Sequence, residues 1–120
     1  MAEPPNLISN TIIKEIIKKS LFTERQVEII LNRLNIQKID FSITKGAYYR
    51  QVNQSRNKLL GLYYSIFLLR GLGVLLPEDV DVINKLSEQV SVIQNSDVFP
   101  ERENEIISVI EVLVNRACRL

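Results

Sequence analysis

The chain has 120 residues, 46% apolar and 24% charged, a balance that supports a packed core and excludes an intrinsically disordered protein. It has no histidine and one cysteine, Cys118, so neither an intrachain disulfide nor a thiol or imidazole metal cluster can form, and a reducing, cytoplasmic setting is expected. A net charge of +1 conceals an asymmetry, since residues 1–60 carry ten Lys and Arg against five carboxylates and residues 61–120 carry five against nine.

Taken in chain order, the start "MAEPPN" lacks the basic and apolar regions of a signal peptide, and residues 1–8 read as a flexible arm on a single helical domain, 1–120. A first helix is expected from about Asn10 to Leu21, with Ile12, Ile13, Ile16, Ile17 and Leu21 at helical spacing and Lys14, Glu15, Lys18 and Lys19 on the other face. A second opens at "TERQ", where Thr23 and Gln26 form a capping box, and runs to about Leu34 with a core stripe of Val27, Ile30, Leu31 and Leu34. The connection "NIQKIDFS" alternates apolar and polar residues but has no partner strand, and reads as a packed loop.

The third helix starts at Ser42 or Thr44 and reaches Arg70, where Gly71 and Gly73 end it. Its apolar continuation, Leu59 to Leu76, has only Arg70 as a charge and just reaches the length of a membrane span. The glycines and the polar helix leading into it make a buried central helix the simpler expectation, with Tyr63 and Tyr64 packed in the core. Pro77 and Pro100 suit first helical positions, which predicts a fourth helix with Val80, Ile83, Leu86, Val90 and Ile93 on one side. A break at "QNSDVFPE" follows, and then a fifth helix to about Ala117. In the fifth, Ile106, Ile107, Val109, Ile110, Val112, Leu113 and Val114 cover more than one face, as expected of a helix buried on two sides, deep in the domain or across a homodimer. The fold expected is all-α, with about five helices, a long central helix, and C-terminal helices forming a dimer interface.

Chemistry concentrates at the start of the third helix. From Asp40 to Glu78 no carboxylate intervenes, yet Lys45, Arg50, Arg56, Lys58 and Arg70 all lie there. On a helical wheel Tyr48, Val52, Ser55, Leu59, Leu62 and Ile66 share the core side, and Ala47, Arg50, Asn53, Gln54 and Asn57 face away. Arg matches the guanine acceptors of the major groove and Asn or Gln the adenine edge, so Arg50, Asn53, Gln54 and Asn57 are candidate base readers. Lys45, Tyr49, Arg56 and Lys58, on the flanks, are candidate phosphate contacts. Gly46 and Ala47 are small enough to let the helix end approach DNA closely. A solvated face is the commoner origin of such a pattern, but solvated faces usually mix signs and this one does not; an acidic protein is the other ligand that fits it.

The segment "FTERQVEIILNRL", Phe22 to Leu34, followed by "YYRQVNQSRNKL", Tyr48 to Leu59, resembles small archaeal helix-turn-helix proteins. The matching positions are Thr23, Glu24, Gln26, Ile30, Arg33 and Leu34, then Tyr48, Tyr49, Arg50, Lys58 and Leu59. The resemblance covers about a third of the chain and implies a DNA-binding, regulatory role with the helix near Thr44 as the recognition element, so the all-α fold is expected to be built on a helix-turn-helix-like core. The connection, Asn35 to Ile43, is longer than the turn of a tight helix-turn-helix.

Enzymatic equipment is sparse: no histidine serves acid or base work and no G-x-x-x-x-G-K loop cradles phosphates, so a non-enzymatic protein without cofactor is expected. Gly71 to Gly73 reads as a helix stop, Glu101, Glu103 and Glu105 as helix-dipole and solubility residues, and Cys118 as an incidental thiol. The partners expected are double-stranded DNA and a second copy of the chain, with no membrane. A helical protein-interaction module or assembly subunit is the alternative.

Overall fold

The computed structural model describes residues 7–94 and 100–120, and it is all-α: a 3-10 turn, Leu7–Ser9, precedes α1 (Thr11–Lys19), α2 (Glu24–Arg33), α3 (Lys45–Gly71), α4 (Pro77–Gln94) and α5 (Pro100–Cys118). No strand occurs among the described residues. The chain divides inside α3 into two compact units, Met1–Tyr64 and Ser65–Leu120. The N-terminal arm up to residue 6 and the break at residues 95–99 lie outside the described residues.

Helix ends follow local side-chain chemistry. The Asn10 side chain accepts from the backbone N–H groups of Ile12 and Ile13 at 2.9 and 3.3 Å and starts α1. The Thr23 hydroxyl accepts from Gln26 N–H at 3.2 Å while the Gln26 carbonyl oxygen accepts from Thr23 N–H at 3.0 Å, the reciprocal box expected at α2. Thr44 accepts from Ala47 N–H at 3.1 Å and caps α3. Two helices stop alike. Asn35 (φ 57°) and Gly73 (φ 77°) take the left-handed conformation, so Ile36 N–H reaches the Leu31 carbonyl and Val74 N–H the Leu69 carbonyl, both at 2.9 Å. Gly71 remains the last residue of α3, and Arg70 donates to the Leu75 carbonyl at 2.8 Å, tying down the turn that follows.

In the first unit the 3-10 turn packs on α1 and α2. Ile8, Ile12 (0% exposed) and Ile29 (1%) form its buried apolar core. Leu7 and Ile8 therefore belong to the fold and not to a flexible arm, and Leu7 N–H donates to Gln37 Oε1 at 3.1 Å. The buried face of α2 is rotated from the expected stripe: Gln26 and Ile29 are inside, Val27, Ile30 and Leu31 half-buried, and Leu34 exposed. Gln26 can turn inward because its Oε1 accepts from Thr23 N–H and from the Lys58 ammonium, which offsets the cost of burying it. On α1, Ile12 is the buried member of the stripe, whereas Ile16 and Leu21 are exposed.

In the second unit α4 and α5 pack together. Val80, Val82, Leu86 and Val90 of α4 and Ile106, Ile107, Ile110 and Leu113 of α5 are half-buried, while Ile83, Val109, Val112 and Val114 are exposed. The apolar end of α3 is not the buried central helix expected. Tyr63, Tyr64 (76% exposed), Phe67 (77%), Leu68 and Leu72 are exposed in the single chain. Hydropathy registers that such a segment seeks cover without registering whether the same chain supplies it. Among the described residues, no helix is long and apolar enough to cross a membrane.

Candidate nucleic-acid interface

α3 has 27 residues, about 40 Å at the helical rise. Its first half is sorted by burial much as the wheel implies. Ser55 is buried, and Tyr48, Val52, Leu59 and Leu62 are half-buried. Arg50, Asn53, Gln54 and Asn57 are all exposed, with Lys45, Tyr49 and Arg56 exposed beside them. Ala47 departs from the expected outward face and is half-buried, as is Gln51. Ser55, at 2% exposed, has no hydrogen-bond partner for its hydroxyl among the described residues; its small size permits close packing of the inner face of α3.

Several contacts fix the orientation of α3 within its unit. Asn32 is a junction: its Nδ2 donates to the Tyr48 hydroxyl at 2.9 Å and its Oδ1 accepts from Ile39 N–H at 3.2 Å, joining α2, the connection and α3. The Tyr48 ring lies 5.5 Å from Phe41 and meets Tyr49 nearly edge-on at 5.6 Å. Arg25 covers the other aromatic of that cluster, 5.5 Å from the Phe41 ring centre. The connection is thus packed by Phe41 and Ile39, while Ile36 is exposed.

Lys58 stands apart from the other candidate phosphate contacts. Its ammonium donates to the Leu21 carbonyl at 2.7 Å and to Gln26 Oε1 at 2.8 Å, so two of its three donors are engaged. Gln26 Oε1 accepts from both Thr23 and Lys58, which links the start of α2 directly to α3. Lys58 is a positioning residue with one donor to spare. Lys45, Arg50 and Arg56, by contrast, have no carboxylate partner among the described residues.

A Cβ built at Gly46 would meet nothing within 4 Å. No intramolecular crowding requires glycine there, although it costs up to about 1 kcal/mol of helix propensity against Ala.

Beside the first turn of α3 a cleft of about 670 Å³ is lined by Asn32, Arg33, Asn35, Gln37, Lys38 and Tyr48. Arg33 and Lys38 were not among the candidate contacts read from the sequence. They lie outside the helix that carries the pattern, and only the turn at Asn35 brings them to one cleft with Tyr48. Among the described residues no group of three or more His, Cys, Asp or Glu is placed to hold a metal ion. Glu103 and Glu105 lie on α5, with the Glu101 side chain outside the described set, and Cys118 is exposed.

Comparison with protein families, with characterised proteins and with solved structures finds no match to this chain.

Proposed function

We propose that this protein binds duplex DNA as a homodimer through α3, entering the major groove with the end that begins near Thr44, and acts as a cytoplasmic transcriptional regulator. The observation that carries this reading is the exposure of Arg50, Asn53, Gln54 and Asn57 together, opposite a side where Ser55 is buried and Tyr48 and Val52 half-buried, in a segment without a carboxylate from residue 41 to residue 77. Guanidinium and amide groups on one helical face match the donor and acceptor pattern of base edges. Lys45, Tyr49 and Arg56 hold flanking phosphates, and Lys58 contributes its remaining donor. The resemblance of Phe22 to Leu59 to small archaeal helix-turn-helix proteins points the same way.

Homodimer formation is supported by the exposed apolar end of α3, with Tyr63, Tyr64, Phe67 and Leu68. A two-fold pair would present two copies of α3 to successive major grooves, roughly 34 Å apart. Occupying a site is the whole of the mechanism.

The same apolar surface favours a second reading, a helical interaction module or assembly subunit, in which a different, acidic protein contacts the basic face of α3. Fluorescence anisotropy with a mixed-sequence duplex separates the two. DNA binding gives association at 50 mM salt that weakens log-linearly as salt rises, whereas no association at that salt removes the DNA reading and leaves the interaction module.

A further inference from the structure

The cleft beside α3 has fixed neutral walls and two unengaged cations. Asn32 is held by Tyr48 and Ile39, Gln37 Oε1 accepts from Leu7 N–H, and Asn35 is locked in its left-handed turn. Arg33 and Lys38 are exposed and have no hydrogen-bond or ion-pair partner among the described residues. No carboxylate lines the cleft; Asp40, two residues beyond Lys38, is not part of it. The C-terminal end of α2 contributes about half a negative charge, which opposes an anion. Its Leu31 and Asn32 carbonyls, however, already accept from Ile36, Gln37 and Asn35, and two full positive charges outweigh the remainder.

Tyr48 connects this cleft to the face of α3. It lines the cleft, and its ring meets Tyr49, a phosphate contact of the proposed interface. An anion in the cleft would therefore sit beside the phosphates that Lys45 and Tyr49 hold. The amides of Asn32, Asn35 and Gln37 add polar surface suited to a sugar–phosphate chain.

We propose that Arg33 and Lys38 clamp a backbone phosphodiester of the bound duplex in this cleft, extending the contact from α3 onto α2 and the connection. This rests on the DNA reading above. It makes the long connection a part of the interface, where a tight turn would leave no cleft.

The test is the salt dependence of duplex binding by the full chain, comparing the native protein, Arg33→Gln with Lys38→Gln, and a charge control, Lys85→Gln with Arg102→Gln, in the second unit. The cleft variant is expected to bind about tenfold more weakly at 50 mM salt, with a log–log slope smaller by roughly 0.9, the counterion release of one phosphate. The control should keep the native slope, and Arg33→Lys with Lys38 intact should restore it. A native slope in the cleft variant, or an equal loss in the control, overturns the clamp while leaving DNA binding in place. Failure of the native chain to bind duplex removes both. Far-UV circular dichroism of each variant, expected to match the native spectrum, confirms that folding is not what changed.

Discussion

The two halves of α3 make opposite demands on their surroundings. Residues 45–58 bury Ser55, half-bury Tyr48 and Val52 beside it and expose charge and amides, an arrangement water tolerates without a partner. Residues 59–71 expose Tyr63, Tyr64, Phe67 and Leu68, which water does not favour. Each exposed aromatic represents on the order of 150–250 Å² of surface, and several on one helix exceed the scattered apolar residues that any protein surface carries. One helix thus combines a face suited to an anion with an end suited to an apolar partner. The second function can fail without the first.

Breaking the first unit from within gives the largest effect. Ile29→Ala empties a fully buried position and is expected to cost about 2–5 kcal/mol, read by urea denaturation. An effect below about 0.5 kcal/mol would mean that Ile29 is not a core residue. Tyr64→Glu with Phe67→Glu attacks the other end of α3. By sedimentation velocity the native chain is expected to be a dimer and the variant a monomer, with at least a hundredfold loss of association from two charges at the interface. A dimeric variant would move the interface elsewhere, to the exposed valines of α5. The smallest change is Gly46→Ala: the Cβ meets nothing within 4 Å in the chain, so the fold is expected to gain up to about 1 kcal/mol, while under the proposed DNA reading the added methyl weakens duplex binding by standing between the helix end and the DNA. Unchanged or tighter binding would show that close approach is not its role.

Much of the fold was legible because its signals are local. Thr23 and Gln26 declare the start of α2 over four residues, Pro77 and Pro100 mark two more starts, and Gly73 supplies a left-handed stop. What escaped the sequence depends on meetings between distant residues. Lys58 and Gln26 are separated by 32 positions, so nothing in the periodicity of α3 sets Lys58 apart from Arg56. Asn35 adopts the left-handed turn that glycine usually signals, which hid the cleft containing Arg33 and Lys38. Gln26 is polar yet buried, so a stripe drawn through Val27, Ile30, Leu31 and Leu34 misses the face that Gln26 shares with Ile29. The outward face of α3, with Arg50, Asn53, Gln54 and Asn57, was readable from spacing alone; what it contacts is not written in spacing.

Salt titration of duplex binding by the native chain and by a Lys45→Ala, Arg50→Ala, Arg56→Ala variant addresses that contact directly. If α3 lies on DNA, the native chain binds at 50 mM salt and loses affinity steeply toward 200 mM. The variant then loses most of its affinity and shows a log–log slope smaller by about 1.8, at roughly 0.9 for each of the phosphate contacts of Lys45 and Arg56. Equal affinities and equal slopes for the two chains would take the DNA off α3, and absence of binding by the native chain at 50 mM salt would take DNA away altogether.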